Sequence, residues 1–164
     1  MRQASLAQYL IALGSNRRHH VFGSPERVLG AAMEVLAEQD VDILALAPVI
    51  RSRPIGPSQR TYANSAALIC TTLAPDDLLV LLKALEARFG ARRGQRWSAR
   101  TLDLDIIWWS GGTWHSRRPE LIVPHTAFHE RRFVLHPAAM IAPRLRDPVT
   151  GRSIAQLLHR LARA

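Results

Sequence analysis

Two aspartates stand one residue apart in the segment RWSARTLDLDIIWW, residues 96–109. Side chains alternate across a strand, so Asp103 and Asp105 should share one face while Leu104 points into the core. Two carboxylates at roughly 5 Å repel by about 3 kcal/mol at an effective dielectric near 20. A bound cation removes that cost, and magnesium is commonly held by one or two carboxylates together with substrate phosphates. The alternative is an ordinary solvated strand face.

Arginines surround this pair. Five lie between positions 88 and 100, and Lys83 is the only lysine in a chain of formal net charge +9. Arginine suits bidentate recognition of phosphate, so the local excess predicts a polyanionic ligand, either nucleic acid or a small polyphosphate. A GC-rich genome would explain part of the global excess. Metal together with arginine is the combination that phosphoryl transfer requires.

The chain as a whole predicts a single domain over residues 1–164, because 164 residues with 48% hydrophobic content can bury a core without disulfides or structural metal ions. Cys70 has no partner for an internal disulfide, which favours a reducing, cytoplasmic setting. No apolar run approaches the roughly 20 residues that a membrane span needs. P-loop, dinucleotide-binding and zinc patterns are all absent from the sequence.

Hydrophobic periodicity predicts an alternating series of strands and helices that must position the aspartates. We expect strands over residues 8–13, 41–50, 62–72 and 101–109, and helices over 25–38 and 75–89. Gly14 should begin a turn, and Pro48 should bend the second strand or confine it to an edge. The order indicates an α+β, ferredoxin-like βαββαβ sandwich, an antiparallel sheet with helices on one face. A turn region up to Pro143 and a helix over residues 154–161 should be C-terminal additions.

Five blocks of the sequence match a known family in order and spacing: YLIALGSN, RPIGPSQRTYAN, LEARFG, RWSARTLDLDII and VPHTAFHERRFVLHP. They resemble the 6-hydroxymethyl-7,8-dihydropterin pyrophosphokinase family (2-amino-4-hydroxy-6-hydroxymethyldihydropteridine diphosphokinase) and cover residues 9–143. The resemblance implies a ferredoxin-like fold. It also implies transfer of the pyrophosphoryl group of ATP to the pterin hydroxymethyl oxygen, with release of AMP, in tetrahydrofolate biosynthesis.

The resemblance implies a role for individual residues. Asp103 and Asp105 match the aspartates that hold two Mg²⁺ ions with ATP, and Asp103 would help magnesium to activate the hydroxyl. Arg100 matches a catalytic arginine, and Arg92 or Arg93 would be the mobile catalytic arginine of the preceding loop. The pterin-binding matches are Ser52, Ile55, Tyr62, Asn64, Trp97 and Phe133. The ATP-binding matches are Glu86, Arg96, His125 and Arg131.

Two departures from the family pattern keep another hypothesis open. Ala91 stands where the family usually has arginine, and Ser98 stands where it usually has glycine. A paralogue with altered or lost activity is therefore an alternative. A basic nucleic-acid-binding domain is a third, although no RNA-recognition pattern is present. Under the lead hypothesis we expect a cytoplasmic monomer whose partners are ATP and the pterin, with no nucleic acid and no membrane.

Overall fold

The computed structural model describes residues 5–53, 61–90 and 101–164. Its centre is an antiparallel sheet whose strands are β1 (Ala7–Ser15), β2 (Val41–Leu46), β3 (Ile50–Ser52), β4 (Tyr62–Thr71) and β5 (Asp103–Trp109). The strand order is β2–β4–β1–β5, and β3 also pairs with β4. The predicted second strand is thus two strands, interrupted at Pro48, which lacks the N–H that a continuous ladder needs.

Two helices cover one face of this sheet, α1 (Pro25–Ala37) and α2 (Pro75–Arg88). Helix α1 begins where expected because the Ser24 side chain accepts a hydrogen bond from the Arg27 N–H, at 3.4 Å, and proline occupies its first turn. Apolar residues of both helices pack on the side chains of alternate sheet residues. The elements β1, α1, β2, β4, α2 and β5 therefore form the predicted βαββαβ unit, and the ferredoxin-like fold is confirmed.

The opposite face of the sheet is also covered, by α3 (Arg132–Ile141) and α4 (Ile154–Arg163). The sequence-based prediction of a turn region up to Pro143 was wrong for the ten residues of α3. Pro137 lies inside that helix, and Val134, Leu135 and Ala138 have helical spacing and are buried. The sheet is consequently a middle layer between two pairs of helices.

The strand that carries the aspartates lies at the edge of the sheet. It is followed by a separate two-stranded sheet, β6 (Trp114–Arg117) and β7 (Glu120–Val123), and by a 3₁₀ turn over Phe128–Glu130. That turn leads directly into α3. Within the described ranges, none of the helices combines the length and the apolar character required to cross a bilayer.

Candidate functional site

The two aspartates lie on the side of β5 that faces α3. Asp103 is paired with Gly14 and Asp105 with Ala12 across the β1–β5 ladder. Leu104 and Ile106 point the other way, into the core formed with α1 and α2, and both are buried. The alternation expected from the sequence is confirmed.

Helix α2 holds the free edge of β5 in place between the aspartates. The Leu104 N–H donates to the Glu86 carboxylate at 2.8 Å, and the Lys83 ammonium donates to the Leu104 carbonyl at 3.3 Å. Lys83 also forms an ion pair with Glu86 at 2.8 Å. These contacts satisfy backbone groups that an edge strand otherwise leaves unpaired. Burial raises the pKa of Glu86 and nearby Asp103 adds to this, while Lys83 and the Leu104 N–H act in the opposite direction.

Asp105 lies in a cluster of charges. Burial raises the pKa of its carboxyl group, and the neighbouring charge of Asp103 raises it further. Three basic residues oppose this rise: Lys83, His125 when its ring is protonated, and Arg131. Like-charge repulsion between two carboxylates with cations around them is the arrangement that a divalent ion and a polyphosphate would complete.

His125 is anchored beside the aspartates by its own backbone and ring. Its N–H donates to the Ile107 carbonyl at 3.1 Å, and its Nδ1 accepts from the Ala127 N–H at 3.2 Å. Burial lowers the pKa of the imidazole, Asp105 opposes that change, and Arg131 lowers the pKa further. The ring is therefore neutral near pH 7, with its proton on Nε2, and can donate a hydrogen bond from that atom.

Arg131 and Phe133 lie together at the start of α3. The Arg131 guanidinium carbon is 5.9 Å from the centroid of the Phe133 ring, within cation–π range. Phe133 is half-buried and packs at the margin of the second core cluster. A cation and an aromatic face are thus held next to each other on the α3 side of the sheet.

A row across three strands links the aspartates to the predicted pterin residues. Asn64 is paired with Gly14 on β1, and Gly14 is paired on its other side with Asp103. Two strand spacings separate the ends of this row, about 10 Å. The middle position has no side chain, so the surface between the Asn64 amide and the Asp103 carboxylate is a shallow floor of backbone.

The orientation of the Asn64 amide follows from its hydrogen bond. Nδ2 donates to the Ser52 hydroxyl at 2.6 Å, and a Cβ placed on Gly14 would lie 3.6 Å from Oδ1. The amide oxygen therefore points over the glycine as an acceptor. Tyr62 is paired with Ser52 and lies two residues from Asn64, so its side chain projects to the same face.

The comparisons with known proteins identify the family. The model of the 7,8-dihydro-6-hydroxymethylpterin-pyrophosphokinase (HPPK) family matches residues 10–143. The chain belongs to this family. Among curated relatives, the 2-amino-4-hydroxy-6-hydroxymethyldihydropteridine pyrophosphokinase of Pseudomonas aeruginosa is 39% identical over 150 residues, covering 90% of this chain and 88% of that protein. The protein of the same name from Synechocystis sp. is 35% identical over 136 residues, covering 83% and 69%.

Solved structures of HPPK proteins have the same fold. Wild-type Plasmodium falciparum HPPK-DHPS superposes with a TM-score of 0.73 at 12% identity. The match covers 95% of this chain but only 41% of that one. At this identity the likeness concerns the fold alone.

Seven of the residues implied by the HPPK resemblance lie on the α3 side of the sheet or at its rim. They are Ser52, Tyr62, Asn64, Asp103, Asp105, His125 and Arg131. The Phe133 ring lies next to them because it contacts the Arg131 guanidinium. Glu86 contacts β5 from α2 by accepting a hydrogen bond from the Leu104 N–H. Six others lie outside the described residues: Ile55, Arg92, Arg93, Arg96, Trp97 and Arg100. Ala91 and Ser98 also lie there.

Two features of the site were missed from the sequence. Lys83 received no role, although it stands three residues before Glu86 on α2 and would therefore share its face. Gly14 was assigned to a turn, whereas β1 continues through Ser15 and places this glycine in the middle of the row. A glycine at the end of an apolar strand can mark a close approach to a ligand, and that signal was available.

Proposed function

We propose that this protein transfers the pyrophosphoryl group of ATP to 6-hydroxymethyl-7,8-dihydropterin and releases AMP. One observation carries the proposal beyond family membership: the charged cluster around Asp105 and the acceptor oxygen of Asn64 are the two ends of one floor, with Asp103 and Gly14 between them. A polyanion and a flat, hydrogen-bonding ring would therefore meet at Asp103.

The triphosphate of ATP fits the cationic end of this floor. Lys83 acts on Asp105 from α2, and His125 and Arg131 act on it from the two ends of the segment that contains the 3₁₀ turn. The neutral His125 can donate from Nε2, and arginine can bind phosphate oxygens in a bidentate manner. Their place in the site is to hold the phosphate chain and to stabilise charge on the group that migrates.

Magnesium fits the donor set. Within the described ranges, no group of three or more His, Cys, Asp or Glu side chains could hold a metal by itself. Two carboxylates that repel each other are instead suited to ions that take their remaining ligands from phosphates and water. Asp103 and Asp105 would hold the two Mg²⁺ ions that we propose. When bound, these ions would supply charge neutralisation along the phosphate chain.

The pterin fits the other end. The Asn64 oxygen would accept from N–H groups on the edge of the heterocycle, and the Ser52 hydroxyl keeps the amide in that orientation. Phe133 and Tyr62 offer aromatic faces for stacking. Asp103 stands in the same row as Asn64, so of the two carboxylates it would lie nearer to the bound pterin. It would accept a hydrogen bond from the hydroxymethyl O–H as that group loses its proton.

The test is identification of the nucleotide product. The protein, ATP, Mg²⁺ and the hydroxymethyl dihydropterin should yield AMP in equal amount to the pyrophosphorylated pterin, measured by anion-exchange chromatography and ³¹P NMR. Formation of ADP, or no turnover in any condition with a folded protein, would contradict the proposal and favour the altered paralogue. Asp103→Ala and Asp105→Ala should each remove most activity without loss of the fold.

The remaining parts of the proposal are a single domain, a monomeric state and a cytoplasmic location. The lone Cys70 thiol suits a reducing compartment.

A nucleic-acid-binding domain of the RNA-recognition kind would use aromatic residues on an open face of the sheet. In the described part of the chain, α3 and α4 instead pack on a part of that face, against Leu10, Ala66 and Ile107. Salt-dependent binding of RNA without ATP turnover would revive that alternative.

A further inference from the structure

Asp147 is a buried carboxylate that the proposed reaction does not use. Its exposed fraction is 0%, and among the described residues it is the only charged one so completely covered. Both of its oxygens accept hydrogen bonds within the turn between α3 and α4. Oδ1 accepts from the Val149 N–H at 3.1 Å, and Oδ2 accepts from the Thr150 N–H at 3.0 Å and from the Thr150 hydroxyl at 2.5 Å.

The turn that contains Asp147 is itself rigidly built. The Asp147 N–H donates to the Arg152 carbonyl at 2.9 Å, and the Gly151 N–H donates to the Asp147 carbonyl at 2.8 Å. Gly151 has a φ of +70°, which a residue with a side chain rarely adopts. Burial alone would raise the pKa of Asp147, but the donors from Thr150 and Val149 and the proximity of His129 outweigh it, so the pKa is lowered and the carboxylate stays ionised.

Asp147 also has a partner outside this turn, in the segment between His125 and Arg131. His129 Nε2 lies 3.0 Å from Asp147 Oδ2, and the His129 ring is 4.1 Å from the ring of the fully buried Phe128. His129 stands in the middle of the 3₁₀ turn, four residues after His125 and two before Arg131. The Asp147 carboxylate therefore holds the centre of the segment that carries His125 and Arg131, two of the three basic residues near Asp105.

That segment has weak hydrogen bonds of its own. The Phe128 N–H donates to the His125 carbonyl at 3.2 Å, and the Arg131 N–H donates to the Phe128 carbonyl at 3.3 Å. Both are 3₁₀-type bonds, whose geometry is poorer than that of α-helical bonds. These hydrogen bonds alone therefore fix the relative positions of His125 and Arg131 only weakly. A contact between this segment and a rigid turn would fix those positions more firmly.

We propose that His129, held by Asp147, is a positioning residue for ATP binding: it fixes the 125–131 segment so that His125 and Arg131 meet the triphosphate together. This inference depends on the proposed function, because it takes those two residues as phosphate ligands. It assigns no contact between His129 and the nucleotide.

Three variants test the inference. His129→Ala removes the tie, while Asp147 keeps its donors from Val149 and Thr150, so the turn should remain folded. His129→Gln retains an N–H donor that can reach the carboxylate. Ser153→Ala is the matched control: it removes the cap of α4, where the Ser153 hydroxyl accepts from the Gln156 N–H at 3.2 Å, without touching His129. It should lower the melting temperature of the protein through a change in the same region of the fold.

The readouts are the Kd of MgATP by isothermal titration calorimetry and the separate KM values for ATP and pterin. All are measured at a temperature well below the melting temperatures of the variants. We expect His129→Ala to raise the Kd and KM for MgATP about tenfold, with the KM for pterin unchanged. His129→Gln should restore most of the affinity, and Ser153→Ala should leave it within about twofold.

The results separate this inference from the proposed function. An unmodified protein that binds MgATP and turns over, with a His129→Ala variant whose MgATP affinity is unchanged, would overturn the positioning role alone. Equal losses in His129→Ala and Ser153→Ala, or no rescue by glutamine, would also overturn it. An unmodified protein that fails to bind MgATP would overturn both proposals.

Discussion

Replacing Asp105 by asparagine should stabilise the metal-free protein while removing its activity. Asp103 and Asp105 are two residues apart on one strand, so their carboxylates lie about 5–7 Å apart and repel by about 2.4–3.3 kcal/mol at an effective dielectric of about 20. The charged groups of Lys83 and Arg131 attract Asp105 and offset part of this repulsion. We therefore expect a net gain of about 1 kcal/mol in the free energy of unfolding, or about 2–4 °C in melting temperature.

The gain should depend on pH in a defined direction. Burial and Asp103 raise the pKa of Asp105 in the folded state above its unfolded value of about 3.9. The folded protein thus holds that proton more tightly, and the wild type loses stability relative to the variant as pH rises through this interval. In a chelating buffer, the advantage of Asp105→Asn should be small at pH 4 and should grow as the pH rises toward 7.

Magnesium and ATP should reverse the order of stability. Ligand at 100 times its Kd would stabilise the wild type by about 2.7 kcal/mol, and the variant should gain little of this. Turnover should fall by about 10²–10³-fold, since a lost metal contact removes several kcal/mol of charge stabilisation. Melting curves with and without MgATP, together with an AMP-release assay, would measure both effects.

Asp42→Asn is the control, because it removes one negative charge from an exposed position on β2. Its stability should change by no more than about 0.5 kcal/mol, and its activity should be normal. The reasoning would be refuted if Asp105→Asn were clearly less stable than wild type without metal, or if it kept turnover within tenfold of wild type.

Substitutions at three further positions address the rest of the site. Asn64→Ala should raise the KM for pterin by about 10–100-fold through lost hydrogen bonds while leaving the KM for ATP unchanged, as steady-state kinetics would show. Phe133→Leu should weaken pterin binding about fivefold, because an aromatic contact is worth about 1 kcal/mol, and fluorescence titration would detect it. Glu86→Ala should cost about 2 kcal/mol in urea unfolding because the Leu104 N–H loses its acceptor, whereas Glu86→Gln, which keeps an acceptor, should cost less than about 1 kcal/mol.

Much of the fold was predictable because its signals are local. Ser24 and Pro25 begin α1 where the sequence places it, and the apolar spacing of α2 and β5 survives in their buried residues. Helix α3 was not predicted, and its internal Pro137 is a local signal that argues against a helix. Its burial against the sheet, which no local pattern reports, outweighs the lost hydrogen bond.

The sequence by itself determined the chemistry that the site can offer: a carboxylate pair with one orientation on its strand, an amide, aromatic rings and a set of cations. The roles assigned to the individual site residues are predictions, and some of these residues lie in ranges 54–60 and 91–100, outside the described part of the chain. Only the tertiary structure decided that Gly14 separates Asn64 from Asp103, that Lys83 and Glu86 hold Leu104, and that Asp147 reaches His129. These relations join residues far apart in the chain, and their register is set by packing across the sheet rather than by any periodicity within a strand or a helix.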